Sequence, residues 1–149
     1  MASPLDKPRV IAIDLGKARV GVAVSDELGL LAHPRPALAG GNQNRLLAAL
    51  VELAEGEGAE RFLVGLPLSM SGEPGAAAQR AVRFCQRLAE ASGLEVEAVD
   101  ERFTSVQAAR RLAEAGTARR DRTARIDGEA AAIMLQQWLD QQRNSLADE

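Results

Sequence analysis

The chain has 149 residues, 46% hydrophobic and 26% charged, the balance of one ordinary soluble α/β-sized domain and not of a disordered segment. One cysteine, Cys85, and one histidine, His33, exclude an internal disulfide, a His-rich zinc site and a histidine-based triad, so catalysis must rest on carboxylates, hydroxyls and cations. The net charge of −3 is unevenly spread: from Arg102 to Arg125 seven arginines face Glu114 and Asp121, a local +5 that leaves −8 for the remainder. Such asymmetry can form an electrostatic footprint on an acidic protein, or simply a solvated helix face. The opening MASPLDKPRV has no signal-peptide pattern, and no apolar run approaches the roughly 18 residues of a membrane span. A reducing cytoplasm and no membrane contact are the expectation.

The first element in chain order is a strand from Arg9 to Asp14, whose unbroken run Val10-Ile11-Ala12-Ile13 predicts cover on both faces and a central place. A short turn, Leu15 to Ala18, leads to a second strand, Arg19 to Ser25, paired with the first as a hairpin. A third strand follows Gly29 in LGLLAHPRPAL, and its prolines assign it to an edge. Asn42 to Glu55 predicts a helix, capped by Asn42 or Asn44, with Leu46, Leu47, Leu50, Leu53 and Ala54 on one face. A buried strand, Arg61 to Leu66, stops at Pro67. The loop SMSGEPG then precedes a helix from about Ala76 to Ala91, which carries Cys85 as a structural residue. Leu94 to Asp100 is the last strand. Two helices follow, near Ser105 to Ala115 and Ile126 to Gln142, joined by the polar, basic segment GTARRDRTAR, expected to be loop. The order β-β-β-α-β-α-β-α-α gives a mixed sheet, three antiparallel strands and then parallel ones, with helices on both faces. It is a single unit over residues 1–149, and it is not a dinucleotide fold, because the glycines after Asp14 lead into a strand and not a helix.

Asp14 ends a hydrophobic strand at the centre of this sheet, and ligands of open α/β sheets bind beyond such carboxyl ends. The structural alternative is an acid that caps the following turn. Asp100 and Glu101 end another strand, in VEAVDERFTS, and alternation sends them to opposite faces. Periodicity does not choose between them. Asp127, in RIDGEAAAIMLQQWL, stands where a helix cap would stand, yet the Ala-rich face after it would let the helix approach the sheet closely. Converging carboxylates repel unless a cation holds them. Mg²⁺ or Mn²⁺ suits such oxygens, and two ions about 3.5–4 Å apart would serve an in-line phosphodiester displacement. Lys17 and Arg19, just past Asp14, are candidates to face a phosphate or plain hairpin residues. VGLPLSMSGEPG offers backbone amides before a helix, which suits phosphate as well as an ordinary connection.

Four motifs, IAIDLGKARVGVAVSD, FLVGLPLSMSG, VDERFTS and RIDGEAAAIMLQQWL, occur in this order. Together, from about Arg9 to Leu139, they resemble the YqgF/RuvX family, pre-16S ribosomal RNA nucleases related to Holliday-junction resolvases. The resemblance implies an RNase H-like fold and a metal-binding catalytic triad of Asp14, Glu101 and Asp127, with Glu101 chosen over Asp100. Its D-x-G-x-K-R pattern meets Lys17-Ala18-Arg19 here, so both cations stay candidates. It further implies a divalent-metal endonuclease acting on structured RNA or branched DNA. On this reading Arg102, Arg119, Arg120, Arg122 and Arg125 contact phosphates without reading sequence. Related resolvases work as dimers on two-fold substrates, which leaves a homodimer open, although no feature of this sequence compels one. Two other functions fit parts of the chain. A non-catalytic nucleic-acid-binding module would bind without cutting. The actin-like ATPases have a similar first loop but pair two such domains.

Overall fold

The computed structural model of the chain describes residues 8–16, 18–66, 75–100 and 119–147, the last span with side chains from residue 128 to residue 145. The first strand, β1 (Arg9–Leu15), lies in the middle of a five-stranded sheet of order β3-β2-β1-β4-β5, in which β2 is Arg19–Ser25, β3 Ala32–Ala39, β4 Ala59–Leu66 and β5 Glu95–Asp100. β2 and β3 are antiparallel to their neighbours, whereas β4 and β5 run parallel to β1. The mixed sheet and central first strand expected from the sequence are therefore present. β3 is an edge, as its prolines require, although it continues through both of them.

Two helices cover one face. α1 (Gln43–Glu57) begins where Asn42 accepts a hydrogen bond from the Arg45 amide, which settles the cap in favour of Asn42 over Asn44. It ends at Gly58, whose φ of 68° is left-handed and suits glycine. α2 is Ala76–Ser92 and closes at Gly93 in the same way. α3 (Arg119–Ala147) covers the opposite face. The α1/α2 core holds Ile11, Ile13, Val22, Val64, Phe62 and Phe84, and the α3 core holds Val10, Ala12, Leu63, Ala131 and Leu135. The run Val10–Ile13 thus feeds both cores alternately, the physical reason it is apolar throughout.

α3 corrects one expectation. It starts at Arg119 and not near Ile126, so Arg119, Arg120, Arg122 and Arg125 belong to its first turns and not to a connecting loop. The charged run is helical because it continues into the amphipathic stretch that packs on the sheet, and arginine itself favours helix. The expected helix near Ser105 to Ala115 lies outside the described residues. No helix among the described residues is long and apolar enough to cross a membrane.

Candidate functional site

Asp14 is one of two buried polar side chains among the described residues, with 5% exposure. It occupies the carboxyl end of β1, and its parity with Val10 and Ala12 turns it to the α3 face. A buried carboxylate needs a polar partner, and Asp14 has one. Its neighbours within the sheet are glycines. Across the antiparallel pair it stands opposite Gly21. On the other side Ile13 pairs with Val64, so the next step sets Gly65 of β4 beside it, on the same face. Asp14 therefore lies between two glycines within the sheet. Sequence reasoning misses this pair, because their place depends on strand register. The available signal was the occurrence of glycine at one interior position in each of two otherwise apolar strands.

The turn after Asp14 is fixed by backbone. A Cβ on Gly16 would lie 2.3 Å from the Arg19 carbonyl oxygen, so only glycine lets the hairpin close. Arg19 opens β2 at the same end of the sheet and is exposed, with no carboxylate paired to it among the described residues. Lys17 lies outside the described residues.

The other acids divide by face. Asp100 ends β5 with the parity of Val96, whose side chain packs into the α1/α2 core. Asp100 and Asp14 therefore lie on opposite faces, and Asp100 is not Asp14's companion. Glu101 and Arg102 lie outside the described residues. Asp127 falls within α3, more than two turns beyond Arg119 at 3.6 residues per turn, and so is not a helix cap. Its neighbour Gly128 packs tightly on β3: a Cβ there would lie 3.3 Å from Pro34 Cβ. Ala130 and Ala131, at 2% and 0% exposure, continue this close approach. Trp138 and Leu139, farther along, line a groove with Val10, Arg61 and Glu95 at the amino ends of the parallel strands. The helix therefore runs against β1, and its first half, with Asp127, lies toward the carboxyl end that Asp14 occupies.

Cys85 takes no part here. It is half-buried in α2, and burial pushes its thiol above the ordinary value, the reverse of a reactive cysteine.

The family model RuvX, described as Holliday junction resolvase, matches residues 8–141. The chain belongs to the RuvX family. A relative of this RuvX chain from Anaeromyxobacter dehalogenans (strain 2CP-C) is 41% identical over 132 residues, which are 89% of this chain and 96% of the relative. Another, from Chloroflexus aurantiacus (strain ATCC 29366 / DSM 635 / J-10-fl), is 39% identical over 136 residues, 91% of this chain and 89% of the relative. Both bear the name "Putative pre-16S rRNA nuclease". Among solved structures, Thermus thermophilus RuvC in complex with a Holliday junction substrate aligns with a TM-score of 0.55 and 18% identity, over 93% of this chain and 97% of RuvC. The RuvX chain thus has the RNase H-like fold.

Proposed function

We propose that this RuvX chain is, as a single domain, a cytoplasmic divalent-metal endonuclease that hydrolyses phosphodiester bonds, with Asp14, Glu101 and Asp127 as its acids. The observation that carries the reading is Asp14: a buried carboxylate at the carboxyl end of the central strand, flanked by Gly21 and Gly65 and facing the helix that bears Asp127. Strand alternation past Asp100 would return Glu101 to this same face.

The donor chemistry suits Mg²⁺ or Mn²⁺. Asp14 offers the hard carboxylate oxygen that both ions prefer. Among the described residues no three His, Cys, Asp or Glu side chains gather into a metal cluster, so the set depends on Glu101 and Asp127 joining Asp14. Two bound ions would stabilise the attacking and leaving oxygens of an in-line displacement. The chain's own contribution is to hold the carboxylates rigidly on a strand and a packed helix. Arg19 and the arginines of the first turns of α3 would place the phosphate backbone by charge, without reading sequence.

The names borne by the relatives make precursor 16S ribosomal RNA the first substrate to try, and the RuvC complex makes a four-way DNA junction the second. Both should be tested with Mg²⁺ and with Mn²⁺, alongside the Asp14→Asn protein. Metal-dependent cutting of either, absent in the variant, is the expected result. Binding without cutting under every condition would replace the reading with a non-catalytic module.

A further inference from the structure

The described arginines form two populations. Arg9, Arg35, Arg61 and Arg143 each have a carboxylate within ion-pair distance. Among the described residues Arg19, Arg45, Arg80, Arg83 and Arg87 have none, and all five are exposed. The second population is gathered in space. Arg45 lies in the first turn of α1, Arg80 and Arg83 lie in the first half of α2, and Arg87, farther along α2, reaches back to the start of α1. Both helices start at the end of the sheet where Asp14 sits, because β3 and β4, which feed them, end there.

Arg80, Arg83 and Arg87 follow the i, i+3, i+7 spacing, which puts them in one stripe within roughly 60° of the helix circumference. No acid interrupts α2 before Glu90. Arg87 donates to the side chains of Gln43 and Asn44 on α1, the second bond at 2.8 Å. These neutral acceptors fix the guanidinium and leave its charge intact. Between Arg80 and Gly16 at the end of β1 runs a groove of about 640 Å³, which also reaches Gly40 and Gln43. It joins the arginine stripe to the rim of the sheet beyond which Asp14 lies.

We infer that the Arg80–Arg83–Arg87 stripe is a second phosphate-binding track, which holds a duplex arm of the nucleic acid on the α1/α2 side while cleavage takes place on the α3 side. The inference rests on the proposed nuclease function and adds a contact surface to it. The dimensions agree. Seven residues of helix span about 10 Å, so the stripe is long enough to meet two or three phosphates of one strand. Guanidiniums with no carboxylate partner among the described residues suit that partner by charge. The contact is blind to sequence and depends on salt.

The test is binding in EDTA of a labelled four-way DNA junction and of an RNA stem, each over a range of salt, by wild type, Arg80→Ala/Arg83→Ala, Arg80→Lys/Arg83→Lys and Arg143→Ala. The double alanine protein should bind about tenfold more weakly, with a log–log salt slope shallower by about two, since each lost phosphate contact removes about one. The lysine protein should keep most of the slope, and Arg143→Ala should match wild type. An unchanged slope in the double alanine protein, with wild type binding normally, overturns the track alone. Failure of wild type to bind either probe overturns the track and the nuclease reading together.

Discussion

The two ends of the sheet are built on opposite electrostatic plans. At the amino ends of the parallel strands the described arginines are matched by carboxylates. Arg9 reaches Glu27 and Glu57, Arg35 shares Glu57, Arg61 meets Glu95, and the indole N–H of Trp138 donates to Glu97 at 2.6 Å. At the carboxyl ends a buried acid lies between glycines, and exposed arginines stand without a carboxylate partner among the described residues. Unmatched charge on a folded protein carries a cost in self-repulsion, and such departures from local neutrality mark sites of function. One end pairs its arginines with carboxylates, and the other leaves them for the anionic polymer that the proposed function requires.

Substitutions at the two ends should therefore fail in different ways. The largest effect belongs to the acids. Asp14→Asn, Glu101→Gln and Asp127→Asn should each lower the cleavage rate ~10³-fold or more, about 4 kcal/mol in the barrier, while nucleic-acid binding persists. Normal cutting by any one of them removes that residue from the site. Next is Gly21→Val, which sets an isopropyl group beside Asp14. Cleavage per folded molecule should fall roughly 10- to 100-fold, and stability by about 1–3 kcal/mol, because Gly21 is buried on the face that α3 covers. A stable, fully active protein would show that the space beside Asp14 has no role.

The opposite end should show the inverse pattern. Ser25, 2% exposed, accepts a hydrogen bond from the Val10 amide at 2.8 Å, where the β1–β4 register shifts and the ladder leaves that donor open. Ser25→Ala should cost about 2 kcal/mol of stability by stranding the buried N–H, with the cleavage rate per folded molecule unchanged. Denaturant unfolding and a rate measurement on the same preparation check both halves. The smallest effect is Arg143→Ala, which breaks an exposed pair with Asp140 on one helix. It should change stability by less than about 0.5 kcal/mol, and a larger loss would mean that the α3 terminus is more than a solvated end.

How much of this could be read from sequence follows from the range of each interaction. The strands and α1 were legible because their signals are local: Val10–Ile13 for a strand covered on both sides, Asn42 for a cap, the prolines for an edge. Asp14 was legible as the acid that ends the central strand. The flanking glycines were not, since Gly21 and Gly65 reach Asp14 only through the registers of two different strand pairs. The α3 start was misplaced because a polar, basic run reads locally as loop, whereas its helix continues from the packed residues Gly128 to Leu139. The contrast among arginines was also hidden. Sixteen arginines look alike along a chain, and only the fold shows which of them meet a carboxylate.

The central claim is that the carboxyl end of β1 holds the metal-binding carboxylates. Titrating the protein with Mn²⁺ while recording backbone amide resonances tests it most directly, because the paramagnetic ion broadens the nuclei nearest to it. The account predicts early loss of signals from Asp14, Gly21 and Gly65, survival of those from Arg61, Glu95 and Trp138, and no selective broadening in Asp14→Asn. Broadening centred on the opposite end, or a pattern unchanged in Asp14→Asn, would contradict it.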